Sequence, residues 1–182
     1  MLLPIHTIGH STRTIDAFVA LLRAGAVDTV VDIRTIPRSR TNPQFNPDAL
    51  APALAEHRIA HTRIAALGGL RNAAAAVPGE VNAWWTNRSF HNYADYALSE
   101  AFRAGLAELE TLAARRRVAI MCAEAVWWRC HRRIVADYLL ARGRGVFHLM
   151  GEARVEWARL TPAAVAAADG LHYPLDARTG SS

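Results

Sequence analysis

Residues 122 to 132 read Cys122-Ala123-Glu124-Ala125-Val126-Trp127-Trp128-Arg129-Cys130-His131-Arg132, a run that holds groups able to attack, to move protons and to bind an anion. A cysteine attacks as its thiolate, and a strand-end position before a helix, with Arg129, His131 and Arg132 close by, favours that charged form of Cys122. Cys122 is therefore read as a nucleophile or reactive thiol; the alternative is a small buried hydrophobe. His131, Glu124 and the distant His10 are the candidates for handling protons. Glu124 would equally suit the first turn of a helix, where the dipole favours a carboxylate. Cys130 shares an i, i+4 row with Ile134 and Tyr138, which makes it a candidate core residue.

An anion would be held by Arg34, Arg38 and Arg132 together with the Gly9 backbone and Ser11, with Arg40, Arg71 and Arg129 also on strand-end loops or at the helix start. All 21 basic residues are arginine against 16 acidic ones, giving a net charge of +5. The absence of lysine excludes Schiff-base lysine chemistry and a P-loop lysine. Each cation is a planar fork suited to phosphate or carboxylate, so phosphate-bearing small molecules and nucleic acid are the expected partners. Salt bridges to Asp32 and Glu124 would occupy some of these forks instead, and Asp32, at a buried strand end, needs a partner such as Arg34 or His10. Cys122, Cys130, His131 and His10 include ligand types suited to zinc, but neither C-x2-C nor H-x3-H spacing is present, and no metal or cofactor is assigned. The C-x6-R spacing from Cys122 to Arg129 is one residue longer than the C-x5-R phosphatase loop.

These groups follow apolar runs that read as strands. Residues 3–8 end at Gly9; residues 14–23 have helical spacing with Thr14 as cap and Gly25 as stop; and 27–33 is β-branched. A loop over 34–47, a helix over 48–56 and a strand over 59–64 closed by Gly68-Gly69 come next. Residues 70–90 hold no period and form a functional loop, a lid or an insertion. A long helix is expected from Tyr93 to Ala114, a strand over 118–122, a helix over 128–142 stopped by Gly143, and a fifth strand over 145–149. No element is assigned to the tail, 151–182. The alternation implies a single α/β domain over residues 1–182, with a mostly parallel sheet of about five strands and helices on both faces. Ligands of such sheets sit beyond the carboxyl ends of the strands, where Gly9-His10-Ser11, Asp32-Ile33-Arg34, Gly68-Gly69 and Cys122-Ala123-Glu124 all fall.

At 182 residues and 52% apolar, the chain can bury a core and is neither disordered nor fibrous. It lacks an apolar run long enough for a bilayer, and its start has no charged n-region, so a cytoplasmic protein with two free thiols is expected. Trp84, Trp85, Phe90, Tyr93 and Tyr96, with Arg88 and His91, crowd one stretch. They would either stack on bases or pack over the sheet.

Thr7-Ile8-Gly9-His10-Ser11, Val31-Asp32-Ile33-Arg34 with Pro37-Arg38-Ser39-Arg40, Phe45, Leu67-Gly68-Gly69, Tyr93, Met121-Cys122-Ala123-Glu124 and Cys130-His131-Arg132 occur in this order. The set resembles the bacterial and archaeal domain-of-unknown-function family DUF488 over roughly residues 5–150. Trp127-Trp128 stands where that family more usually has a proline-aromatic step. Some members are labelled DNA-repair proteins, which implies a nucleic-acid-binding or repair accessory role as the alternative to an enzyme acting on a phosphate-bearing or otherwise anionic substrate.

Overall fold

The computed structural model describes residues 1–152 and 154–176. Four of the apolar runs become the buried strands β1 (Ile5–Gly9), β2 (Thr29–Asp32), β4 (Val118–Cys122) and β5 (Val146–Met150), and Ala60–Arg63 forms the more exposed β3. These five run parallel, and a sixth, β6 (Arg154–Trp157), adds antiparallel to β5. The sheet order is β3-β2-β4-β1-β5-β6. Five helices accompany it among the described residues: α1 (Ile15–Ala24), α2 (Pro47–Glu56), α3 (Arg88–Tyr96), α4 (Glu100–Ala113) and α5 (Arg132–Ala141).

This order creates the site. The crossover from β1 through α1 leads one way to β2, and that from β4 through α5 leads the other way to β5. Right-handed crossovers in opposite directions put α1 and α5 on opposite faces. The two cores show this: Phe18, Leu22, Leu50 and Leu54 pack on Ile8, Val30 and Met121, while Phe102, Leu106, Ile134 and Leu139 pack on Val31, Val118 and Ile120. The topological switch lies between β1 and β4, and a cavity opens beside it, beyond the carboxyl ends of β4 and β2.

Several boundaries differ from the sequence reading. The expected helix from Tyr93 to Ala114 is two helices, because the Ser99 hydroxyl accepts the Phe102 N–H and starts α4 afresh. The expected helix from Trp128 starts only at Arg132, after a 3-10 turn over Trp127–Arg129 and an extended Cys130. Part of the 70–90 segment is ordered as a 3-10 turn, Gly79–Asn82, and the start of α3. The tail forms β6 and a hairpin of β7 (Val165–Ala167) and β8 (Gly170–His172). The tail is fastened to α5 where the buried Asp137 carboxylate accepts from the Thr161 N–H and the Tyr173 hydroxyl. Ala153 and residues 177–182 of that tail lie outside the described residues. No described helix is long and apolar enough to cross a membrane.

Candidate active site

Gly9 and Cys122 are register partners, and beyond them the Cys122 and Ala123 carbonyls accept the His10 and Ser11 N–H groups at 2.9 and 3.0 Å. The two loops run so close that a Cβ on Gly9 would lie 1.8 Å from the Glu124 carbonyl oxygen, so only glycine fits there. Ser11 takes a left-handed φ of 49° to complete the turn.

A cavity of about 370 Å³ opens on the α5 side of this edge, with both thiols, Glu124, Arg129, His131 and Phe90 in its wall. Both cysteines are free, and the Cys122 thiol donates to the Glu124 carbonyl at 3.9 Å. The Cys130 sulfur accepts from the Arg132 N–H at 3.5 Å and from Arg132 Nε at 3.3 Å, and it lies 3.5 Å from His131 Nδ1. His131 Nε2 is 3.0 Å from the Ile33 carbonyl, which can only accept, so Nδ1 is the nitrogen that shares a proton with Cys130. Burial alone would raise the Cys130 thiol, but the neighbouring Cys122 thiol and the charges of His131 and Arg132 outweigh it and hold the group well below the ordinary thiol range.

Cys122 goes the other way. The strand-end position was expected to lower its pKa, yet burial, reinforced by the neighbouring Cys130 sulfur and its charge, pushes it well up. The reason lies in the helix boundary: α5 starts at Arg132, so its N-terminal amides meet Cys130, not Cys122. Cys130 is correspondingly not on the helical row with Ile134 and Tyr138, since it precedes the helix in extended backbone.

Arg132, 1% exposed, is the brace under the site. Besides Cys130 it reaches the Glu124 carbonyl at 2.6 Å and the Thr7 hydroxyl at 3.4 Å. Arg34 is likewise occupied. Its Nε and Nη2 hold both Asp32 oxygens at 2.9 and 2.7 Å, Nη2 also donates to the Phe45 carbonyl, and Nη1 donates to His10 Nε2 at 3.1 Å. The partner required by Asp32 is thus found, and the forks of Arg34 and Arg132 are spent inside the protein. His10 donates from Nδ1 to the Ser11 carbonyl, stacks on Phe45 and is lowered by burial, so it stands neutral with both nitrogens engaged.

At the surface, Glu124 and Arg129 are exposed on the cavity rim, and the Glu124 carboxylate accepts the Val126 N–H. Arg38, 65% exposed and 3.7 Å from Asp48, lines a neighbouring space of about 580 Å³ with Ser11 and Glu124. Arg71 lies over the Tyr96 ring. Of the aromatic stretch, Trp85 and Tyr93 are buried, with Trp85 stacked on Phe90, so these rings pack over the sheet. Tyr93 and Tyr96 donate to the Leu67 and Ala66 carbonyls, which fixes the loop where Gly69 makes room for His131: a Cβ there would sit 2.3 Å from Nδ1. Among the described residues no group of three His, Cys, Asp or Glu stands ready to hold a metal.

Thr7 and His148 were missed in the sequence, although a polar residue in a buried strand was the available signal. They are register partners, the Thr7 hydroxyl and His148 Nδ1 are hydrogen-bonded at 2.7 Å, and the imidazole stacks on Trp127 at 4.4 Å. Burial, then the charge of Arg132, pushes His148 down to about 3. An unfolded chain takes up a proton here below about pH 6.5 that the folded chain refuses, so stability is lost as pH falls from there toward the folded value. His148→Asn keeps an acceptor near Nδ1 and removes the titration. Urea unfolding of this variant is expected to lose about 3 kcal/mol less than wild type between about pH 6.5 and 4; an unchanged difference would show that His148 is not buried neutral.

Against known proteins, the family model of a domain of unknown function, DUF488, matches residues 14–139. Searches of curated proteins and of solved structures each gave no match.

Proposed function

The chain belongs to the DUF488 family, and from its carboxyl-edge cavity we propose an enzyme in which the Cys130 thiolate attacks an electrophilic centre of a small anionic substrate. The observation that carries this reading is the pair of donors converging on one sulfur, the Arg132 N–H and Arg132 Nε, with His131 Nδ1 3.5 Å from the same atom, at the wall of an open cavity. Such a sulfur is a nucleophile at neutral pH. His131 Nδ1 protonates the leaving group, Cys122 shares the cavity wall with the attacking sulfur, and Glu124 at the rim exchanges protons with solvent. Because Arg34 and Arg132 are committed internally, the substrate's charge falls to Arg129 at the mouth and Arg38 beside it, with Ser11 and the Gly9 turn shaping the adjoining space. Phosphate esters, nucleotides and nucleic-acid ends carry suitable charge. A non-catalytic nucleic-acid binder would use the same rim arginines but has no use for a stabilised thiolate in a cavity. A reducing cytoplasm would keep both thiols available.

Competing alkylation tests both halves. Iodoacetate and iodoacetamide differ in charge, and free cysteine gives the reference ratio of their rates. Cys130 is expected to react ahead of Cys122 at mildly acidic pH, with a preference for iodoacetate over that reference by roughly several-fold that disappears in Arg129→Ala. Reaction first at Cys122 would overturn the nucleophile, and a ratio equal to the reference would overturn the anionic substrate.

A further inference from the structure

Attack on a phosphoryl or carbonyl centre needs one cysteine, but this cavity presents two at its wall, near enough for the charge of one to act on the other. The second thiol lies where a resolving group must lie, beside the sulfur that would carry the first adduct. Building on the Cys130 nucleophile above, we infer that Cys122 and Cys130 form a dithiol that reduces a low-molecular-weight disulfide bearing carboxylates, with Cys130 attacking and Cys122 resolving. The carboxylates suit Arg129, whose exposed guanidinium stands at the cavity rim.

The steps balance. The Cys130 thiolate attacks one sulfur of R–S–S–R, forming Cys130–S–S–R and breaking the substrate S–S bond. The departing thiolate takes the proton of the His131 imidazolium from Nδ1 and leaves as R–SH. His131, now neutral, accepts the Cys122 proton, and the new Cys122 thiolate attacks the Cys130 sulfur. The mixed disulfide breaks, and the second R–S⁻ takes that proton from His131. Two electrons have passed from the dithiol to the substrate, the protein holds a Cys122–Cys130 disulfide, and two R–SH molecules are released.

The order of the two attacks follows from the surroundings. After burial, what holds the Cys122 proton in place is the neighbouring Cys130 sulfur and its negative charge, and that charge vanishes once Cys130 is in a mixed disulfide. The Arg132 charge, which favours a Cys122 thiolate, remains. Attack at Cys130 therefore activates Cys122, and the idle enzyme does not have two thiolates competing for one brace.

Glutathione disulfide is the anionic probe and cystamine the cationic one. Reduced protein is mixed with each, quenched in acid and digested with trypsin. Cleavage after Arg117, Arg129 and Arg132 puts Cys122 and Cys130 in separate peptides, so their disulfide is read as a linked pair. Wild type is expected to form that linked pair without accumulating an adduct, faster with glutathione disulfide than with cystamine. Cys122→Ser is expected to lose the linked pair and to accumulate a glutathione adduct on Cys130. A stable adduct on Cys130 in wild type would overturn the dithiol while leaving the nucleophile standing. Labelling first at Cys122, or no reaction at either thiol, would overturn both, and equal or faster reaction with cystamine would overturn the anionic disulfide. The wild-type measurements decide these outcomes even where a variant fails to fold.

Discussion

Arg34→Ala is expected to cost about 3–5 kcal/mol of folding stability, because it strands the fully buried Asp32 carboxylate. For a chain of this size that is a fall in melting temperature of roughly 6–20 °C. Arg34→Lys should recover little of it, since an ammonium cannot span both Asp32 oxygens, the Phe45 carbonyl and His10 as the fork does. Replacing both partners, Asp32→Leu with Arg34→Met, should be milder than Arg34→Ala, because no buried charge is left alone. Thermal unfolding without ligand measures all of this. A melting temperature for Arg34→Ala within about 2 °C of wild type would mean the pair is not a structural brace.

The second large effect concerns Arg132. Its guanidinium and its own N–H both reach the Cys130 sulfur, while its other nitrogens tie down Thr7 and the Glu124 carbonyl. Arg132→Met keeps much of the apolar volume and removes the charge that lies against the thiolate. Burial, no longer outweighed, then drives Cys130 to take up a proton. With only a few per cent of such a thiol ionised at neutral pH, alkylation of Cys130 should slow by roughly 10- to 100-fold. Unchanged alkylation would remove Arg132 from the account. His131→Asn should give a smaller slowing, since one hydrogen-bonding partner is lost while the backbone N–H and Arg132 stay.

How far the sequence revealed this molecule varies with the range of the interactions involved. The buried strands announce themselves as apolar runs, and the groups just after them, Gly9-His10-Ser11, Arg34 and Cys122-Ala123-Glu124, do meet at one edge because a parallel sheet leaves them no other place. The short β6 was missed although Arg154-Val155-Glu156-Trp157 alternates polar and apolar residues: four residues make a short signal, and the strand is defined by its pairing with β5. The break before α4 had a signal in Ser99, overshadowed by the helical spacing on both sides. Which thiol is charged was illegible for a different reason. It depends on α5 starting at Arg132 instead of Trp128, and the preceding turn is held by contacts remote in sequence, Trp127 on His148 and Trp127 Nε1 donating to Glu156. The occupation of Arg34 and Arg132 is equally non-local, since Phe45, His10 and Thr7 take forks that the sequence alone leaves open to an anion.

The two cysteines differ in protonation, and thiolate absorbance in the ultraviolet followed across pH reads that difference. In wild type one thiolate is expected to appear well below the ordinary thiol value of about 8.5 and the other well above it. The low step should persist in Cys122→Ser, vanish in Cys130→Ser and move upward in Arg132→Met. Two thiols titrating together near the ordinary value, or a low step that survives the loss of Cys130, would contradict the account.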